Sequence, residues 1–277
     1  MEAYKMNIEQ IKKISYEMRK QALDIAFKAG KNGAHLGGGL SAIEIFSVLY
    51  SEIMKIEPNN RESESRDRLI VSKGHCVLAY YTALNRFGFL SNKEIEQFEQ
   101  NGAFLHGHAT RSLSRGIEFS GGSLGMGLPF AVGVAMAMKR KQRSAKVYCV
   151  IGDGECDEGS IWEAAMCASH YHLDNLVVIV DKNGLQYDGS TQTVMDTSSL
   201  RNKFSAFGFE TQEVDGHSEQ ELLTAFNGFQ EENKPKVIVA FTVKGKGVSF
   251  MENVKEWHHA ILSEKQYQQA LLEISQL

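Results

Sequence analysis

Along this chain, apolar residues run unbroken in some stretches and recur at helical spacing in others, and the changes between the two patterns mark element boundaries. The clearest case lies mid-chain. Val147 to Ile151 is an apolar, β-rich run that stops at Gly152-Asp153-Gly154. Ser160 to His172 then places Ile161, Ala164, Ala165, Ala168 and Tyr171 on one side of a helix, and a second apolar run, Leu176 to Val180, stops at Asp181-Lys182-Asn183. A crossover long enough to be a helix joins strands that lie parallel, so this stretch is a βαβ unit.

The same reading extends over the rest of the chain. Ile8 to Lys28 carries Ile11, Ile14, Met18, Leu23, Ile25 and Ala26 at helical spacing, with Gly30 as a stop signal. A glycine-rich loop, Gly33 to Ser41, follows, and Ser41 is placed to cap a helix over Ala42 to Met54 with Glu44 completing a capping box. Arg66 to His75 predicts a short strand running into a loop. Helices are expected over Cys76 to Phe87 and over the small-residue stretch Leu128 to Lys139. Gly184 to Leu200 reads as a loop, and Phe204 to Phe207 as the end of a helix. Phe209 to Val214 and Val237 to Phe241 are strand candidates around the helical stretch Ser218 to Phe229, and Ser263 to Leu277 finishes as a helix. This alternation predicts an α/β fold, a mostly parallel sheet with helices on both faces, as a single domain over 1–277.

Composition narrows the partners. A chain of 277 residues can bury a large core, and a net charge of −4 gives no reason to expect nucleic acid. Cys76, Cys149, Cys156 and Cys167 form no CxxC pair, which points to free thiols in a reducing compartment. The start, Met1-Glu2-Ala3-Tyr4-Lys5, has no apolar signal core, and the longest apolar run, Leu128 to Met138, is too short to span a bilayer. A cytoplasmic protein without membrane contact is expected.

Candidate chemistry gathers where the two central strands end. Parallel strands place their carboxyl ends side by side, and crevices outside those ends bind ligands. Asp153 and Asn183 are therefore expected to be neighbours, and both offer oxygen, which hard cations such as magnesium prefer. Gly152 and Gly154 let the backbone approach an anion, and the next helix start presents free N–H groups to it. A metal beside a phosphate follows. A dinucleotide fingerprint would need glycine at 157, which is Asp157, and no Walker A pattern occurs.

Gly152-Asp153-Gly154, with Asn183 thirty residues after the aspartate, resembles the thiamine diphosphate motif, and further segments resemble the transketolase family. These are Gly33-Ala34-His35, Asp67 to His75, His106-Gly107-His108, Gly122-Ser123-Leu124-Gly125, and Lys244-Gly245-Lys246-Gly247 followed by His258. The resemblance implies a thiamine diphosphate-binding fold of the diphosphate-domain type, with Asp153, Asn183 and the Leu185 carbonyl holding Mg2+. It implies cofactor contacts from Gly122, Ser123, Leu124, Gly152, Gly154, Glu155 and Lys244, and places His35, His75, His108 and His258 at cofactor and substrate. Glu158 and Glu163 correspond to an interface carboxylate relay. Ala34, Ala109, Met126 and His259 depart from the family pattern.

The resemblance maps onto only the first of the family's three domains. It therefore implies the N-terminal subunit of a split transketolase, which works with a separate C-terminal subunit carrying the pyrimidine domain, as a dimer of the two-chain unit. The activity implied is transfer of a two-carbon ketol unit from a ketose or ketose phosphate to an aldose. Pentose phosphates, branched sugars and sulfonated sugars stay open as substrates. The alternatives are the α-subunit of a 2-oxo acid dehydrogenase or acyloin-cleaving complex, and a cofactor-binding module without turnover.

Overall fold

The computed structural model describes residues 6–276, so Met1 to Lys5 and the end of the expected last helix at Leu277 lie outside the described residues. Five strands form one sheet in the order β1-β2-β3-β5-β4: β1 (Arg68–Val71), β2 (Val147–Gly152), β3 (Leu176–Lys182), β4 (Glu210–Asp215) and β5 (Lys236–Phe241). Every neighbouring pair is parallel, with Val147 opposite Leu176 and Gly152 opposite Asp181 across the central pair. The expected βαβ unit is present, and the sheet is wholly parallel.

Alternation along the strands divides the core in two. Leu69, Tyr148, Val150, Val177, Ile179 and Ile238 face one layer of helices, whereas Ile70, Cys149, Ile151, Val178, Val180 and Val237 face the other. Burial on both faces is why β2 and β3 read as continuous apolar runs. The first layer holds α1 (Ile8–Lys28), α2 (Leu36–Leu40), α3 (Ile43–Val48) and α4 (Val77–Arg86), with a short α5 (Asn92–Ile95) after it. The second holds α6 (Gly127–Arg140), α7 (Gly159–His170) and, beyond a short α8 (Thr191–Val194), α9 (Leu200–Ala206). The chain then returns to the first layer with α10 (Glu219–Asn227) and α11 (Glu264–Ile274). Crossovers of one hand demand this arrangement, because the step from β4 back to β5 reverses the direction of travel across the sheet.

Several local expectations are corrected. Ser41 caps no helix: it ends α2, and its hydroxyl donates to Asp181 at 2.7 Å. Glu44 is likewise in no capping box but buried, paired with Arg19 and accepting from His217 Nδ1 at 2.9 Å. The expected helix Ala42 to Met54 is α3 followed by a π-helical turn, Leu49–Ile53. Nor is Gly33 to Ser41 a loop, since Gly37, Gly38 and Gly39 lie within α2. Glycine is a poor helix former, and packing overrides the propensity here. A Cβ at Gly38 would stand 2.9 Å from the His75 carbonyl oxygen, and one at Gly39 2.7 Å from the Leu78 Cβ. Only bare backbone lets α2 settle this closely onto the start of α4. The helix ending at Phe207 begins earlier than its signal, at Leu200, with Ser199 as its cap.

Candidate active site

Asp153 follows β2 and Asn183 follows β3, and the parallel register brings the two to one edge of the sheet, as expected. Asp153 is 4% exposed, and its oxygens accept from the N–H groups of Gly154 (3.0 Å) and Gly184 (2.6 Å). Burial, and secondarily the charge of Asp181, push its carboxyl up to about 6. No side-chain cation is paired with it among the described residues. Asn183 Oδ1 accepts from the Leu185 N–H at 3.1 Å, which turns the chain so that Leu185 also borders the cleft.

Beneath these residues lies a buried ion pair that carries no role in the sequence reading. Lys73, at the end of β1, donates to Asp181 on β3 at 2.5 Å, and both side chains are fully buried. The lysine stem passes over the end of β2, where a Cβ on Gly152 would stand 3.7 Å from it. Ser41 and Thr242 also donate to Asp181. Burial alone would raise the Asp181 carboxyl, but Lys73 and these donors hold it below its ordinary value.

Above this floor stands a cleft of 410 Å³ that brings together most of the predicted residues. Gly152, Gly154, Gly122 and Leu124 line it with Asp153, Asn183 and Leu185. Ser123 is exposed and does not line it. Glu155 borders the cleft, but its oxygens accept from Ser72 and from the N–H groups of Gly125 (2.8 Å) and Gly152 (3.0 Å), bracing three segments. Lys244 is 1% exposed, with Nζ 3.1 Å from His258 Nδ1 and 3.5 Å from the Leu185 carbonyl, so it stands behind the wall. Burial, then the Lys73 charge, lower its ammonium to about 8. Glu158 lies at the cleft, whereas Glu163 is on the exposed side of α7.

The four predicted histidines converge. His35 lies 4.9 Å from His108, 5.6 Å from His258 and 6.3 Å from His75, ring centre to ring centre. Close packing makes this possible: a Cβ at Gly74 would stand 2.8 Å from His108 Cδ2 and 2.6 Å from the Gly122 nitrogen. A fifth histidine, His259, joins them 4.7 Å from His35. His35 Nδ1 is buried without a hydrogen-bond partner, the state of an atom that a ligand would satisfy. Burial, followed by neighbouring imidazoles, lowers His35 to about 3, and burial followed by the Lys244 charge lowers His258 to about 4. His75 and His108 are lowered by burial as well, so the four predicted histidines are neutral near pH 7 and can donate to and accept from hydroxyls without presenting a cation.

These shifts carry a stability signature. A histidine unfolded at its ordinary value of 6.5 takes up a proton that folded His35 refuses until about 3, so its contribution to stability falls as pH drops from 6.5 toward 3. Asp153, raised to about 6, works in the opposite sense between 6 and its ordinary 3.8, and a comparison of variants removes it. Between pH 7 and 5 the wild type is expected to lose about 1–2 kcal/mol more than His35→Gln does. Urea unfolding at the two pH values checks this; parallel losses would refute the neutrality of His35.

A parallel α/β domain with an acid, an amide and backbone glycines at adjacent strand ends is of the class suited to holding phosphate groups at that edge. Residues 10–273 match the family model for the thiamine diphosphate binding domain of transketolase, and the chain belongs to the transketolase family. It is 40% identical to one subunit of the apulose-4-phosphate transketolase of Phocaeicola vulgatus, over 98% of this chain and 96% of that one. It is 38% identical to the 6-deoxy-6-sulfo-D-fructose transketolase subunit SqwG of a Clostridium species, over 93% of each. The crystal structure of Campylobacter jejuni transketolase superposes with a TM-score of 0.90 at 32% identity, over 98% of this chain and 43% of that one. The chain thus spans less than half of a full-length transketolase and nearly the whole of these subunits. It is a homologue of the N-terminal subunits of two-chain transketolases, and its family activity is transfer of transketolase type.

Proposed function

We propose that this chain is the diphosphate-binding subunit of a two-chain transketolase, which moves a two-carbon ketol unit from a ketose or ketose phosphate to an aldose. The observation that carries the reading is one cleft with oxygen donors at its floor and neutral imidazoles on its wall. Among the described residues no three His, Cys, Asp or Glu side chains could hold a metal together. A cation would therefore draw on Asp153, Asn183 and the Leu185 carbonyl, together with phosphate oxygens. That all-oxygen set suits magnesium. Asp153, buried and lacking a cationic side chain, fits such a role. Thiamine diphosphate, when bound, supplies the carbon that takes up and hands on the two-carbon unit.

The chain's own residues would bind and move protons. His75, half-buried beside α2, faces the diphosphate end, while His35, His108 and His258 hydrogen-bond the donor's carbonyl and first hydroxyl and exchange protons there. A neutral cluster favours polyhydroxylated substrates over the carboxylate of a 2-oxo acid. Lys244 positions His258, and Glu155 fixes the Ser72, Gly125 and Gly152 segments. The partner subunit would cover the exposed apolar side chains of Leu124 at the cleft and of the α6 and α7 region, Met126 (54%), Phe130 (40%) and Met166 (55%), with Glu158 and Glu163 as the interface carboxylates. A dimer of that unit is the assembly proposed. No helix among the described residues is long and apolar enough to cross a membrane, and all four cysteines are free, which supports a reducing, cytoplasmic setting.

The test is ketol transfer with thiamine diphosphate and magnesium, by the chain alone and by the chain with its C-terminal partner. Turnover is expected only from the pair. Equal turnover by the chain alone would overturn the split-site reading, and decarboxylation of pyruvate in place of ketose cleavage would overturn the substrate class.

A further inference from the structure

His259 stands beside the predicted four, held in place by the segments around it. Its backbone is fixed by a two-way bridge in which Ala34 N–H donates to the Ala260 carbonyl at 2.9 Å and Ala260 N–H donates to the Ala34 carbonyl at 3.1 Å. Gly33, with φ of +68°, leaves room for its ring: a Cβ there would stand 3.0 Å from His259 Cε1 and 2.9 Å from the Ala260 oxygen. The ring meets His35 edge-on, with an interplanar angle of 72°.

Depth orders the cluster. His35 is buried at the floor, His258 is half-buried, and His108 and His259 are exposed at the rim. At that rim the cleft continues into a groove of 270 Å³ lined by Tyr187, Asp188, Lys255, Glu256, His258 and His259. Four of these, Tyr187, Asp188, His258 and His259, line both spaces, so His259 stands at the junction. With its ring 4.7 Å from that of His35, His259 stands where a substrate held against His35 would extend from the cleft into the groove. The groove's lining, one imidazole pair, a phenol, one ammonium and two carboxylates, is rich in donors and acceptors. Asp188 and Glu256 make it a poor place for a dianion and a good one for hydroxyls.

We propose that His259 is a specificity-determining residue that hydrogen-bonds the hydroxylated tail of an open-chain sugar, beyond the carbons that react. The assignment rests on the transketolase reading for the identity of the floor, and on the groove alone for the tail. It separates two kinds of substrate: those long enough to reach the rim and those that end before it.

The experiment uses the reconstituted two-subunit complex with cofactor and magnesium, comparing wild type, His259→Ala and His259→Asn. One substrate pair has no tail, hydroxypyruvate as donor and glycolaldehyde as acceptor; the other is a six-carbon ketose with a five-carbon aldose. His259→Ala is expected to raise KM for the long pair about tenfold, the worth of one or two hydrogen bonds. It should leave the short pair and cofactor affinity unchanged, and His259→Asn should recover part of the loss. Equal losses on both pairs, or none on either, would overturn the proposal. Saturation-transfer NMR with arabinitol, an unreactive five-carbon polyol, reads the tail contact without turnover. If wild type transfers no ketol unit yet binds arabinitol in a His259-dependent way, the transketolase reading falls and the groove assignment stands. Arabinitol binding that is absent, or indifferent to His259, overturns the assignment.

Discussion

Asp153→Ala is expected to weaken magnesium-dependent binding of thiamine diphosphate at least about 100-fold while leaving the chain folded. The two effects separate because the carboxylate's contacts within the protein are few. It accepts from the N–H groups of Gly154 and Gly184, next to solvent-facing cleft, and it sits beside the negative charge of Asp181, which opposes its ionisation. Removing it frees two backbone donors, costing about 1–3 kcal/mol, and relieves a buried charge, so the two terms offset. For a hard cation the loss has no offset, because Asp153 is the only carboxylate in the proposed donor set. Titration calorimetry of the complex, with and without magnesium, measures the effect, and thermal unfolding of the free chain checks the fold. Unchanged cofactor affinity would end the metal assignment, and a chain that no longer folds would mean that Asp153 is structural first.

Lys73→Met is expected to cost about 3–5 kcal/mol of stability, because it leaves Asp181 charged, fully buried and without its cation. Methionine keeps most of the stem that passes over Gly152, so the loss reports on charge more than on packing. The sign of the pH dependence follows. In wild type, Asp181 is held below its ordinary value, and its contribution is lost only as pH falls through that lowered value. Without Lys73, burial raises the same carboxyl, folding takes up a proton, and the variant should be less stable at pH 8 than at pH 5. Asp181→Asn in the Lys73→Met background should recover part of the loss, since it removes the buried charge while the amide oxygen accepts from one of the two hydroxyls, Ser41 or Thr242, and its NH2 donates to the other. Urea unfolding of the free chain at both pH values decides it. A deficit below about 1 kcal/mol, independent of pH, would show that the pair contributes little beyond its volume.

The frame of this protein is legible in its sequence because its central strands are buried on both faces. Val147 to Ile151 and Leu176 to Val180 announce themselves as unbroken apolar runs, and the glycines and polar residues that end them mark the ligand edge. Asp153 and Asn183 follow from that geometry, and the histidines from resemblance of the segments that carry them. What stays hidden depends on partners far along the chain. Lys73 and Asp181 are 108 positions apart, and each flanks an apolar run where a charge reads as solvated. His217 reads as a turn residue, yet its Nε2 accepts from Val243 N–H at 2.8 Å while Nδ1 donates to Glu44. It thereby ties the Lys244 segment to α3. Gly37 to Gly39 mislead in the other direction, because propensity predicts a loop where tight packing builds a helix. For Lys73 and Asp181 a signal did exist: each lies within two residues of a predicted site residue at a strand end.

The bridge between Ala34 and Ala260 has a bearing on how the protein comes to life. It joins segments near opposite ends of the chain, and the wall carrying His258 and His259 hangs from it. Synthesis therefore lays down the glycine-packed helix and the oxygen donors long before the last wall exists, and the interior strand β5 only shortly before it. A ribosome-bound chain that has not reached residue 260 would lack that wall, and long-range closures of this kind are slow steps. The wall carrying His258 and His259 thus closes only after residue 260 has been made, when every other residue lining the cleft is already in the chain.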